Sequence, residues 1–166
     1  MATALRNLSE YDTSKIPSAR DMHFAIIVSE WNSEITFNLL KGACDTLVKH
    51  GANENHIKIE HVPGSFELTA GARMIADTSN FDAIICLGCV IRGETPHFDY
   101  ICQSVSMGLT QLNVNYDIPF VFGVLTTEDI KQAKDRSGGK YGNKGDEAAI
   151  TAIKMVALKQ RTFGKD

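Results

Sequence analysis

The sequence predicts a doubly wound α/β domain, a four-stranded parallel sheet with helices on both faces, from three observations. Four short β-rich runs, 23–28, 57–62, 83–90 and 119–125, alternate with stretches of helical period. The segments between them are long enough for the right-handed crossovers that parallel strands require. The first and third runs are nearly continuous in apolar residues, the pattern of strands covered on both faces.

The elements follow in order. Residues 1–21 are polar and mixed, with Pro17 and no sustained period, and read as an N-terminal arm ahead of a single domain over 22–166. His23-Phe24-Ala25-Ile26-Ile27-Val28 is the first core strand and the polar stretch 29–33 its exit. Ser33 is the expected N-cap of a helix with Phe37, Leu40, Cys44, Leu47 and Val48 on its inward face, stopping before Gly51. Ile57-Lys58-Ile59-Glu60-His61-Val62 alternates at period two, as a strand with one wetter face or at an edge does, and Pro63-Gly64 ends it. A helix over 66–77 turns Leu68, Ala72 and Ile75 inward. The third strand passes through Arg92-Gly93-Glu94-Thr95-Pro96-His97 into a helix ending near 116, on which Ile101, Val105, Leu109 and Leu112 recur at helical spacing. After the fourth strand, Thr127-Glu128-Asp129 starts a short helix by placing a cap and two acids at its positive end. A glycine-rich basic loop, 136–145, precedes a last helix over 147–160 with Ala149, Ile153 and Val156 inward. The whole is a flavodoxin-like three-layer sandwich.

Composition narrows the function classes. A chain of 166 residues with 43% hydrophobic residues suits one well-cored domain. A net charge of -3, with charges of both signs interspersed, provides no basic stripe for nucleic acid and no polybasic membrane patch. The apolar runs are of strand length and no positive-then-apolar leader opens the chain, so a cytoplasmic protein is expected. Cys44, Cys86, Cys89 and Cys102 sit among apolar neighbours, as free, mostly buried thiols in a reducing compartment do. Cys86 and Cys89 spell C-x-x-C, but residues three apart on a strand point to opposite faces, which excludes a metal or redox pair.

In a parallel sheet the loops after the strands share one rim, so distant residues converge there. Trp31 lies in the first of these loops, where it either stacks on a flat heterocycle or packs against a subunit. Pro63-Gly64-Ser65-Phe66-Glu67 exposes backbone N–H groups at a helix start; Ser65 and Glu67 either meet a polar ligand or cap the helix. Gly93, Glu94 and Thr95 form a candidate anion loop, and His97 alone among the five histidines adjoins it. An imidazole there can take and give protons near neutrality. His50, near a helix end, is expected to be structural, its cationic form favoured by the dipole. The 136–145 loop could wrap a phosphate but lacks P-loop spacing, and no G-x-G-x-x-G occurs, which disfavours nucleoside triphosphates and nicotinamide dinucleotides.

Taken together, Val62-Pro63-Gly64-Ser65-Phe66-Glu67, the stretch 88–100 with its R-G-E-T-P-H-F-D-Y core, and Gly142-Asn143-Lys144-Gly145 resemble the 6,7-dimethyl-8-ribityllumazine synthase family over about 22–160. The resemblance implies condensation of 5-amino-6-(D-ribitylamino)uracil with 3,4-dihydroxy-2-butanone 4-phosphate, the penultimate step of riboflavin synthesis, with no metal or organic cofactor. It implies that Trp31, where the family more usually has phenylalanine, stacks on the pyrimidine. Ser65, Phe66 and Glu67 would hold the uracil and ribityl chain, and Cys89, Val90 and Ile91 the floor beneath the ring. Glu94, Thr95 and Arg136 would hold the butanone phosphate, with His97 as the proton-transfer residue. Phe122 would be an aromatic wall lent by a neighbouring subunit, and Lys144 a basic residue near the site. It further implies a homo-oligomer, a pentamer or an icosahedral shell of pentamers, with riboflavin synthase a candidate partner. Two rivals are a flavin- or lumazine-binding shell protein without turnover and a flavodoxin-like electron carrier; the polar stretch 29–33 makes a poor phosphate loop for the latter.

Overall fold

The computed structural model describes residues 7, 9–78 and 80–164. The strands are β1 (Phe24–Ser29), β2 (Ile57–Val62), β3 (Ala83–Ile91) and β4 (Phe120–Thr127), parallel throughout in the order β2-β1-β3-β4. Helices α1 (Ser33–Lys49), α2 (Leu68–Thr78), α3 (His97–Asn115), α4 (Ile130–Asp135) and α5 (Lys144–Phe163) connect and follow them. The doubly wound, flavodoxin-like arrangement therefore holds, with β2 at an edge as its alternation allows.

Successive side chains of the two central strands feed different cores, as the pleat requires. Phe24, Ile26, Val28, Ile85 and Leu87 join α1 and α5 on one face, and Ala25, Ile27, Ile84 and Cys86 join α2 and α3 on the other. Cys89 lies on the first face and Cys86 on the second, so the two sulfurs of the C-x-x-C are separated by the sheet. Burial pushes both thiols up to about 12, which leaves them protonated and inert.

Four local expectations need correction. The inward face of α1 is Ile35, Leu39, Ala43 and Leu47, whereas Phe37 and Val48 are exposed and Leu40 and Cys44 half-buried. Of the five expected inward residues, Leu47 is fully buried and Leu40 and Cys44 pack against the core from its margin, while Phe37 and Val48 face outward. Asn32, not Ser33, precedes the helix, in the left-handed region at φ 60° and without a side-chain cap. The 136–145 segment is not a plain loop, because Ser137–Gly139 (β5) and Gly142–Asn143 (β6) pair as an antiparallel hairpin. Helix α5 accordingly starts at Lys144, where Asn143 Oδ1 accepts from the Gly145 amide at 2.8 Å. Finally, burial and neighbouring Lys49 push the His50 imidazole down, against the expected preference for its cation.

The described part of the arm lies along its own domain. Ala19 is fully buried and its amide donates to the His50 carbonyl, while Ser9 Oγ accepts from the Asn143 amide at 2.9 Å.

Candidate active site

The loops after β1, β2 and β3 converge as the topology predicts, enclosing an open cleft of about 760 Å³. That is a size suited to small organic ligands. The β1 loop continues the parallel ladder for two residues, with the Glu30 and Trp31 amides donating to the Val62 and Pro63 carbonyls at 2.8 and 3.0 Å. This holds Trp31 over the cleft mouth with 72% of its surface exposed, a wall of one aromatic face. The left-handed turn at Asn32 follows, and its Nδ2 donates to the Cys89 carbonyl at 2.9 Å, lashing the first loop to β3. Asn32 lines the cleft as well, and sequence reasoning missed it; asparagine's tolerance of the left-handed region directly after a strand was the available signal.

The β2 loop enters α2 through a 3-10 turn, Ser65–Glu67. Ser65 is buried and its Oγ has no hydrogen-bond partner among the described residues. It fits there because β3 carries glycine at 88: a Cβ at that position would stand 2.7 Å from Ser65 Oγ. A buried hydroxyl without a partner costs about 1–3 kcal/mol, a cost that a polar ligand would offset. Phe66 exposes its ring along the cleft and Glu67 turns its carboxylate back across Gly64.

The floor is the end of β3, where Cys89, Val90 and Ile91 line the cleft. Beyond it Gly93, Thr95 and His97 stand on the third side, His97 being the first residue of α3. An added Cβ on Gly93 would meet nothing within 4 Å, so backbone there is open to an approaching group. Glu94 is exposed in the same loop but does not line the cleft.

A single chain does not bring the remaining candidates to this cleft. Phe122 lies on edge strand β4 in a separate groove with Ser106, Thr110 and Asn113. Arg136 ends α4, where its Nη1 donates to the Gln132 carbonyl at 3.0 Å and its guanidinium lies 4.9 Å from the Tyr141 ring centre. Lys144 pairs with Glu147 at 3.0 Å, largely shielded from solvent. No group of three or more His, Cys, Asp or Glu residues is placed to hold a metal ion among the described residues.

Comparison with known proteins identifies the family. The family model described as 6,7-dimethyl-8-ribityllumazine synthase matches residues 21–160. Relatives bearing that name include one from Parabacteroides distasonis, 60% identical over 94% of this chain and 98% of its own. Others are from Porphyromonas gingivalis, 54% identical over 96% and 99% of the two chains, and Cytophaga hutchinsonii, 54% identical over 95% and 98%. With matches of this extent, the chain belongs to the 6,7-dimethyl-8-ribityllumazine synthase family.

Proposed function

We infer that the protein is a transferase that makes 6,7-dimethyl-8-ribityllumazine from 5-amino-6-(D-ribitylamino)uracil and 3,4-dihydroxy-2-butanone 4-phosphate, in riboflavin biosynthesis. The observation that carries the reading is the convergence of Trp31, Ser65, Glu67, Thr95 and His97 on one cleft from three strand ends. The flat pyrimidine lies against Trp31, above Cys89, Val90 and Ile91. Its polar edge and the ribityl hydroxyls reach Ser65 Oγ, the Phe66 backbone and the Glu67 carboxylate. The ketone's phosphate sits on the open backbone at Glu94 and the Thr95 hydroxyl, beside His97.

The chemistry then runs in three steps. The ring amine adds to the ketone and loses one water to give an imine, phosphate leaves, and the ribitylamino nitrogen closes the second ring with loss of another water. His97 takes and returns the protons that these steps move. Holding the two substrates together supplies the larger share of the acceleration, since effective molarity is worth up to about 7–11 kcal/mol.

Arg136, Lys144 and Phe122 complete the site from a neighbouring subunit in a closed homo-oligomer, a pentamer or a shell of pentamers in the cytoplasm, with riboflavin synthase a candidate partner. Support comes from their position outside the cleft and from exposed apolar residues on both flanks of the domain: Ile59 of edge strand β2 with Phe37 and Val48 of α1 on one side, Phe122 of edge strand β4 on the other. Mixing the purified protein with both substrates is expected to generate the lumazine chromophore. Absence of any absorbance change would overturn the catalytic reading in favour of a binding module.

A further inference from the structure

The loop carrying Gly93, Glu94, Thr95 and Pro96 is exposed throughout, and among the described residues none of its side chains makes a hydrogen bond. It is held only at its ends, and one side chain lies at both. The Arg92 amide donates to the Thr127 carbonyl at 2.9 Å, prolonging the β3–β4 ladder into the start of the loop. The Arg92 guanidinium folds back across the loop's far end: Nη1 donates to Asp99 Oδ1 at 3.2 Å, and the group lies 4.1 Å from the Phe98 ring centre. Its Nε donates to Glu128 Oε2 at 2.8 Å, on the segment after β4. Phe98 is buried and lines the cleft next to His97, whereas Arg92, Asp99 and Glu128 line no part of it.

We propose that Arg92 is a positioning residue, a staple that fixes the 93–97 loop and the first turn of α3 so that Thr95 and His97 face the cleft. One planar fork does this by pairing with two carboxylates on different elements while its face covers an aromatic ring. Lysine, a point charge on a flexible stem, cannot do all three. The α3 N-terminus needs such a device because Pro96 offers it no side-chain cap. The proposal rests on the functional reading above only for what the loop binds.

Two measurements on the full-length assembled protein test it separately. In Arg92→Ala, amide hydrogen exchange across 93–101 is expected to quicken by about tenfold or more, with α2 and α5 unchanged as a check on folding. In steady-state kinetics the same variant should raise KM for the phosphate-bearing ketone by about tenfold and leave KM for the pyrimidine within about twofold. Arg92→Lys should recover little of either, and adding Asp99→Asn to Arg92→Ala should change nothing further. Unchanged exchange in 93–101 would overturn the staple whether or not the enzyme turns over. An equal rise of both KM values would overturn its assignment to the phosphate side of the cleft. If the wild type forms no chromophore, the functional reading falls and the exchange result alone decides for or against the staple.

Discussion

His97 opens α3 as an exposed residue, and the groups beside it on the cleft wall are Thr95 and Phe98. Nothing in that setting amounts to a nucleophile with its base, and the nearby Cys89 thiol is held protonated by burial. Catalysis by a lone proton carrier is bounded: general acid–base help is typically worth about 10² to 10⁴-fold. His97→Ala is therefore expected to slow turnover within that range without abolishing it, whereas Arg136→Ala should chiefly raise KM for the phosphate substrate. Steady-state kinetics on the two variants check this, and a wild-type rate for His97→Ala would remove the proton-transfer role. At this scale the sequence was most readable where residue type and strand-end position coincide, as at Trp31, Ser65 and His97. It was least readable at Asn32, whose contribution depends on a left-handed backbone and a bond to a carbonyl 57 residues away.

Among the elements, the strands were legible because β-rich apolar runs of strand length mark strands covered on both faces or at a sheltered edge, while the alternation of β2 marked a strand with one wetter face or an edge. Helix α1 shows where such reasoning fails. Ile35, Leu39, Ala43 and Leu47 form one apolar stripe and Phe37, Leu40, Cys44 and Val48 another, so periodicity alone cannot say which meets the sheet. The decisive fact is tertiary: α1 crosses α5 where Gly42 faces Asn143 and Asp146, and Gly145 faces the Leu39 carbonyl, contacts too close for any side chain. The short hairpin β5–β6 was invisible for a simpler reason, since strands of two or three residues carry no period. Leu39→Ala, which empties a fully buried position, is expected to lower stability by about 2–5 kcal/mol. Phe37→Ala should leave the subunit folded but weaken assembly, as read by denaturant titration and sedimentation respectively.

For the whole molecule, a single chain supplies three walls of a cleft and leaves Arg136, proposed to hold the phosphate, elsewhere. Strand order and spacing alone could not place Arg136 or Phe122, whose partners lie on another copy in the proposed assembly; only the family resemblance assigned them to the site. That arrangement has a direct test in mixed oligomers. If each site joins one chain's His97 to its neighbour's Arg136, co-assembling His97→Ala with Arg136→Ala subunits in equal amounts regenerates about a quarter of the sites intact. Assayed at ketone concentrations well below the KM of the Arg136→Ala variant, the mixture should then be more active than either parent, and mixing that gives only the average of the two would place both residues on the same chain's site.

The bond from the Asn143 amide to Ser9 Oγ spans 134 residues, and α5 covers the inner stripe of α1. On the ribosome this means that the amino end, made first, must wait for the carboxy-terminal helix, made last. Until α5 emerges, the α1 stripe of Ile35, Leu39 and Ala43 can pack on the sheet but lacks the helix that completes its cluster, so this face of the sheet stays open while the chain is still being synthesised. Loss of the last helix by premature termination would leave a nascent chain with one of its two core clusters incomplete, a substrate for chaperones rather than a smaller working enzyme.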